Sequence, residues 1–178
     1  MIRNDVRAID HVGITVPDMA AAEAFFTDVF GAQFVYSVLP KPISGPSVEE
    51  ALGLRPGTVL SEIRLLRLGN GANIELFSYA AESQSQPVIA SDLGIQHFAI
   101  YVDDLEAVIA RIVANGGTIL GHIDSLPNGD AGPGNRYVYT RAPWGGIIEL
   151  MHVPSKQAYE SSTPFRRWKP APTTDLTS

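Results

Sequence analysis

The sequence predicts an α+β fold made of two tandem βαβββ modules. Three observations carry that expectation. Segments 9–35 and 95–120 lie over one another without a gap at a single offset of 86 residues: His11 falls on His97, Val16 on Val102, Asp18 on Asp104, Ala21 on Ala107 and Gly31 on Gly117. Each copy opens on a run of β-branched and small residues, passes an acidic turn into an alanine-containing stretch, and closes on glycine. Behind each copy come further strand-like runs punctuated by Gly and Pro.

The elements follow in order. Residues 9–16 read as a strand. Asp18 is placed to cap a helix over 19–30, its carboxylate accepting the free N–H groups of the first turn, and Gly31 stops that helix because glycine enters the left-handed region without a Cβ clash. Strands are predicted at 34–39, 59–68 and 73–79, the last two joined by a Gly69-Asn70-Gly71 turn. In the second copy 95–102 reads as a strand, and Asp103 with Glu106 as a capping box. Leu105, Val108, Ile109 and Ile112 then recur at helical spacing until Asn115-Gly116-Gly117. Strands follow at 118–123, 136–142 and 147–153, with Pro143-Trp144-Gly145-Gly146 as the last turn. The domain layout is a first module over 1–79, a polar linker over 80–93, a second module over 94–154 and an irregular tail over 155–178. That tail carries Arg166-Arg167-Trp168-Lys169 and is expected to wrap the surface, fray or meet a partner subunit. Two longer loops, 40–58 and 126–135, sit at equivalent places and read as substrate lids.

Composition narrows the function classes. A hydrophobic fraction of 45% in 178 residues supports a packed core. A net charge of −6 argues against a nucleic-acid binder, which needs a basic face, while leaving small anionic substrates open. The absence of cysteine excludes disulfides, thiolate metal sites and a Cys nucleophile. No run of about 18 apolar residues suggests a membrane span, and residues 1–10 lack the apolar core of a signal peptide, so a cytoplasmic chain is expected.

The chemistry concentrates in four residues. His11 and His97 occupy the same place in the first strand of each copy, and Glu75 and Glu149 the same place in the last, within Asn73-Ile74-Glu75-Leu76-Phe77 and Ile147-Ile148-Glu149-Leu150-Met151. A lone strand histidine is usually a hydrogen-bonded core or edge residue, and a lone glutamate often faces solvent. Four such donors at repeat-related positions instead favour one shared site, because a charge within an apolar strand is costly unless paired or bound to metal. Imidazole and carboxylate suit Zn, Fe, Mn, Ni or Co. His122 and His152 read as surface or strand-end residues, His152 lying an odd number of positions from Glu149 and so on the opposite face. Gly132-Pro133-Gly134 lacks the Lys-Ser or Lys-Thr that follows a phosphate loop.

Over residues 8–154 the chain resembles the vicinal oxygen chelate superfamily, which includes glyoxalase I, methylmalonyl-CoA epimerase, extradiol dioxygenases and fosfomycin or bleomycin resistance proteins. The resemblance rests on Ile9-Asp10-His11-Val12-Gly13-Ile14-Thr15-Val16, on Gly94-Ile95-Gln96-His97-Phe98-Ala99-Ile100-Tyr101-Val102-Asp103-Asp104, and on the two strands holding Glu75 and Glu149. It implies a cupped, mostly antiparallel sheet around one divalent metal ion (Zn, Co, Ni, Mn or Fe) with His11, Glu75, His97 and Glu149 as ligands. The metal would act as a Lewis acid on substrate oxygens. Segment 94–104, Gly134-Asn135-Arg136 and Ser61-Glu62-Ile63 are similar to methylmalonyl-CoA epimerase. That likeness implies Glu62 and Glu149 as two proton-transferring bases. The alternative for Glu62 is a strand residue paired with Arg64 or Arg67. Gln96 stands where that epimerase usually has a second histidine.

The implied function is a metal-dependent isomerase, epimerase or lyase acting by proton transfer next to a metal-bound carbonyl. An Fe(II) ring-cleaving dioxygenase is the alternative, using His11, His97 and Glu149 with Tyr137, Tyr139 and His122 available nearby. A non-catalytic small-molecule binding or resistance protein is the second. The expected partners are a small-molecule substrate and, by family analogy, a second copy of the chain, with no nucleic acid and no membrane.

Overall fold

The structure, a computed structural model, describes residues 5–171. Residues 1–4 of the first module and 172–178 of the tail lie outside the described residues. The chain divides into two compact units, the first ending at Gln84 and the second starting at Ser85.

The first unit contains β1 (His11–Thr15), α1 (Met19–Phe30), β2 (Gln33–Leu39), β3 (Ile43–Ser44), α2 (Pro46–Leu52), β4 (Val59–Arg67) and β5 (Asn73–Ala80). Its sheet runs β1-β5-β4-β2, with β1 parallel to β5, the other pairs antiparallel, and β3 added beside β4. The helix α1 starts as expected: the Asp18 carboxylate accepts from Ala21 N–H, and Gly31 closes it at φ 69°. Its buried side chains, Met19, Ala22, Phe25, Phe26 and Val29, form one stripe at helical spacing. They share a core with Ile74 and Leu76 of β5 and Leu66 of β4.

The second unit repeats the plan with β6 (Phe98–Tyr101), α3 (Leu105–Ala114), β7 (Thr118–Ser125), β8 (Arg136–Arg141) and β9 (Ile147–His152). Its strand order, β6-β9-β8-β7 with a parallel β6–β9 pair, is the order of the first unit without the inserted β3. Each module therefore forms its own mostly antiparallel sheet. Leu105, Val108 and Ile112 of α3 are buried, as are Ile148 and Leu150 of β9. The bidentate Arg136–Glu106 pair, at 2.6 and 3.2 Å, ties β8 to this helix.

Two expectations need correcting, and for the tail one of the stated alternatives is seen. The cap of α3 is Asp104, whose carboxylate accepts from Ala107 N–H, and not Asp103 with Glu106. That makes Asp104 the structural equivalent of Asp18, as the repeat offset requires. The 40–58 loop is not structureless: it holds β3 and α2, with Pro46 at the helix start and Gly53 closing it at φ 65°. The tail folds back onto its own unit. Asn135 Oδ1 accepts from Ser155 N–H and Oγ–H, Gln157 Nε2 donates to Asp130 Oδ1 at 2.6 Å, and Arg167 reaches Asp130 at 3.1 Å. The 126–135 loop is thus pinned by the tail. Gly132 has a packing reason, since a Cβ there would collide with the Lys156 carbonyl.

Candidate functional site

In the first unit His11 opens β1 and Glu75 lies on the neighbouring β5. His11 Nε2 stands 3.1 Å from Glu75 Oε2. In the second unit His97, immediately before β6, has its Nε2 3.1 Å from Glu149 Oε2 on β9. The glutamates are the more enclosed partners, with 13% and 12% of their side chains exposed against 40% and 23% for the histidines. The parallel pairing explains the geometry. Gly13 is the register partner of Glu75, and Ala99 of Glu149, so each histidine sits two positions before a small residue beside the carboxylate. Gly13 and Ala99 are repeat equivalents, and a Cβ at Gly13 would come within 3.3 Å of the Phe77 ring.

The other ring nitrogen of each histidine is also engaged. His11 Nδ1 lies 2.8 Å from Asp10 Oδ2, and His97 Nδ1 lies 2.8 Å from Gln96 Oε1. The Asp10 hydrogen bond lifts the His11 imidazole above its ordinary range. Burial opposes that shift, and the Glu75 and Asp10 charges add to it. Aromatic rings flank the pairs. Tyr139 meets the His97 ring edge-on at 5.0 Å and is the register partner of Glu149. Burial pushes its hydroxyl up, with the Glu149 and Tyr137 hydroxyl contributions following. Tyr79 of the first unit is raised in the same way, by burial and then by Glu75.

The donor set fits a cation. In each pair an imidazole nitrogen and a carboxylate oxygen stand 3.1 Å apart, a spacing that a shared proton or a cation satisfies. Each pair supplies two donors of the type that zinc and the first-row transition metals accept. The structure brings the four expected ligands together in these two pairs, one in each unit. Among the described residues it groups no three His, Asp or Glu side chains so as to hold a metal ion.

Glu62 lies apart from both His–Glu pairs, in the arrangement of its alternative reading as a strand residue paired with Arg64. It hydrogen-bonds Arg64 at 2.6 Å, and Arg64 also reaches Glu23 of α1 at 2.7 Å. A β-bulge is the reason. Leu60 pairs with Tyr79, then the register slips by one, so that Glu62 lies opposite Ser78. Without the slip it would lie opposite Phe77, on the face of Glu75. With it, Glu62 and Arg64 share the strand face turned to α1. His122 is exposed near Asp124, at 3.5 Å, and His152 bonds the Val102 carbonyl at 3.0 Å, away from Glu149. Asp10 and Gln96 were not singled out by sequence reasoning as partners of the histidines. The available signal was their shared position directly before each histidine of the repeat.

Comparison with known proteins agrees with this architecture. Residues 8–150 match the Glyoxalase/Bleomycin resistance protein/Dioxygenase superfamily. A 2-epi-5-epi-valiolone epimerase from Actinomyces sp is 36% identical over 165 residues, covering 92% of this chain and 88% of the relative. Among solved structures, a glyoxalase family protein from Bacillus cereus aligns with a TM-score of 0.67 at 20% identity, over 85% of this chain and 97% of that one. A fosfomycin resistance protein from Listeria monocytogenes aligns at 0.54 and 16% identity, over 83% and 93%. At such identities the structural likenesses speak for the fold. No helix among the described residues is long and apolar enough to cross a membrane. The repeated βαβββ plan and the match over most of its length show that the chain belongs to the glyoxalase/bleomycin resistance protein/dioxygenase superfamily.

Proposed function

We propose that the chain is a metal-dependent epimerase that inverts a carbon next to the carbonyl of a polyhydroxylated cyclic ketone. The observation that carries this reading is the 36% identity to an epimerase of such a ketone across 92% of the chain. The two His–Glu pairs support it by their chemistry, His11 with Glu75 and His97 with Glu149 being donors of the kind a divalent ion takes. When bound, that ion supplies Lewis-acid polarisation of the ketone oxygen. Glu149 accepts the α-proton: the C–H bond breaks, an O–H bond forms on the carboxylate, and the electron pair moves to the carbonyl oxygen. A proton returned to the opposite face by a second acid completes the inversion. Tyr139 and Tyr79 line the carboxylates and limit their contact with water. The same reading takes the chain as a homodimer, supported by the exposed apolar side chains Phe34, Val35 and Tyr36 on the edge strand β2.

The test is proton exchange. The chain, loaded in turn with Zn, Co, Ni, Mn or Fe(II), is incubated with 2-epi-5-epi-valiolone in deuterated water. One deuterium in the inverted product is expected, with loss of exchange in Glu149→Gln. Absence of exchange with every metal would sink the reading. Oxygen consumption with Fe(II) alone would turn it towards the dioxygenase.

A further inference from the structure

Histidine can bind a metal through either ring nitrogen, and what the other nitrogen bonds to fixes which one is free. In this protein that partner can be worked out atom by atom. Gln96 Nε2 lies 2.7 Å from the Ala90 carbonyl, which can only accept, so the amide nitrogen must face it. The amide oxygen therefore faces His97 Nδ1 at 2.8 Å, and since that oxygen also only accepts, the proton sits on Nδ1. Nε2 is then the nitrogen that points at Glu149, 3.1 Å away. The first unit reaches the same result with different chemistry. The Asp10 backbone carbonyl takes hydrogen bonds from Asn73 N–H at 2.9 Å and Asn73 Nδ2 at 3.1 Å, which fixes Asp10 against the start of β5. Its carboxylate stands 2.8 Å from His11 Nδ1, which turns Nε2 towards Glu75.

From this geometry we infer that Asp10 and Gln96 are a repeat-related pair of positioning residues. Each holds its histidine as the Nδ1–H tautomer with Nε2 free for the metal. The two differ in one respect. Asp10 is charged and pushes electron density onto the His11 ring, whereas Gln96 is neutral, so the two histidines are unequal donors. Gln96 also ties the centre to the inter-module segment through Ala90. The inference extends the metal-centre reading above and, in its second readout, rests on it.

The test uses the full chain and the variants Asp10→Ala, Asp10→Asn and Gln96→Ala. Long-range proton–nitrogen correlation spectra of the metal-free protein, recorded well above the usual histidine titration range, report the tautomer of each ring directly. The wild type is expected to show Nδ1–H on both. Asp10→Ala should release His11 alone and Gln96→Ala His97 alone, each shifting towards Nε2–H. Asp10→Asn, which keeps an acceptor, should restore the His11 tautomer. Zinc affinity, measured by chelator competition, should fall about 10–100-fold in each alanine variant, with most of the loss recovered in Asp10→Asn. Unchanged tautomers in both alanine variants would overturn the inference, and so would zinc affinities within twofold of wild type. A wild-type chain that binds no zinc would count against the metal reading, while the metal-free tautomers would still decide the positioning role.

Discussion

Glu62 and Glu75 are both glutamates in apolar strands of one sheet, yet they do different work because of a single extra residue. The bulge at Ser61 turns Glu62 to the helix side, where it and Glu23 share Arg64. Both pairs are about one-quarter to one-third exposed, so each is worth about 0.2–1 kcal/mol after solvent screening. Glu62→Gln is therefore expected to lower the urea unfolding free energy by no more than that. It should leave metal content and deuterium exchange within a few-fold of wild type. A general base in its place would cost 10²- to 10⁴-fold in exchange, so a loss of that size on the well-folded variant would return Glu62 to the mechanism. At this scale the repeat made His11, His97, Glu75 and Glu149 legible, because equivalent strands deliver equivalent side chains. Glu62 was not legible in the same way. Alternation along a strand assumes an unbroken register, and nothing in Ser61-Glu62-Ile63 announces the slip.

Helix ends show how far matched positions carry matched roles. Asp18 and Asp104 are true equivalents, each accepting from the N–H three residues on. Gly31 and Gly117 match in the repeat and differ in the structure. Gly31 provides the left-handed closure of α1 at φ 69°, with open space where a Cβ would go. In the second module Gly116 takes the positive φ, at 81°. Gly117 instead lets the chain pass close to α3 and β8: a Cβ there would come within 2.6 Å of Ile112 Cγ2 and 2.9 Å of the Arg141 carbonyl. Gly31→Ala is expected to cost about 1–2 kcal/mol through backbone strain alone. Gly117→Ala should cost about 1–3 kcal/mol through overpacking, and Gly117→Ala/Ile112→Ala, which removes the colliding Cγ2, should cost less than the sum of the two single changes. No such coupling is expected for Gly31→Ala with the same Ile112→Ala change, since that strain has no colliding side chain; denaturant titration of the single and double variants separates the two causes. The missed elements have a common explanation. The helix α2 buries no residue and has no side-chain cap, so its seven residues offered no apolar period, only Pro46 and Gly53 as stop and start marks.

The division into two units gives the metal reading a test that no single-residue measurement provides. Glu75 belongs to the unit ending at Gln84 and Glu149 to the unit starting at Ser85. A ligand that binds only the folded state stabilises it by about 2.7 kcal/mol when present at 100 times its dissociation constant. For a chain of this length that corresponds to roughly 5–11 °C in the midpoint of thermal unfolding. If one ion draws donors from both pairs, Glu75→Gln and Glu149→Gln should each abolish most of that shift, although they lie in different units. If instead each pair held its own ion, either variant would keep about half of the effect, and the bound metal would approach two equivalents per chain. A two-donor pair leaves most of a metal's coordination positions to water and holds the ion weakly. Thermal scans of the wild type and both variants, with and without zinc and with metal content measured in parallel, decide between one shared centre and two separate ones.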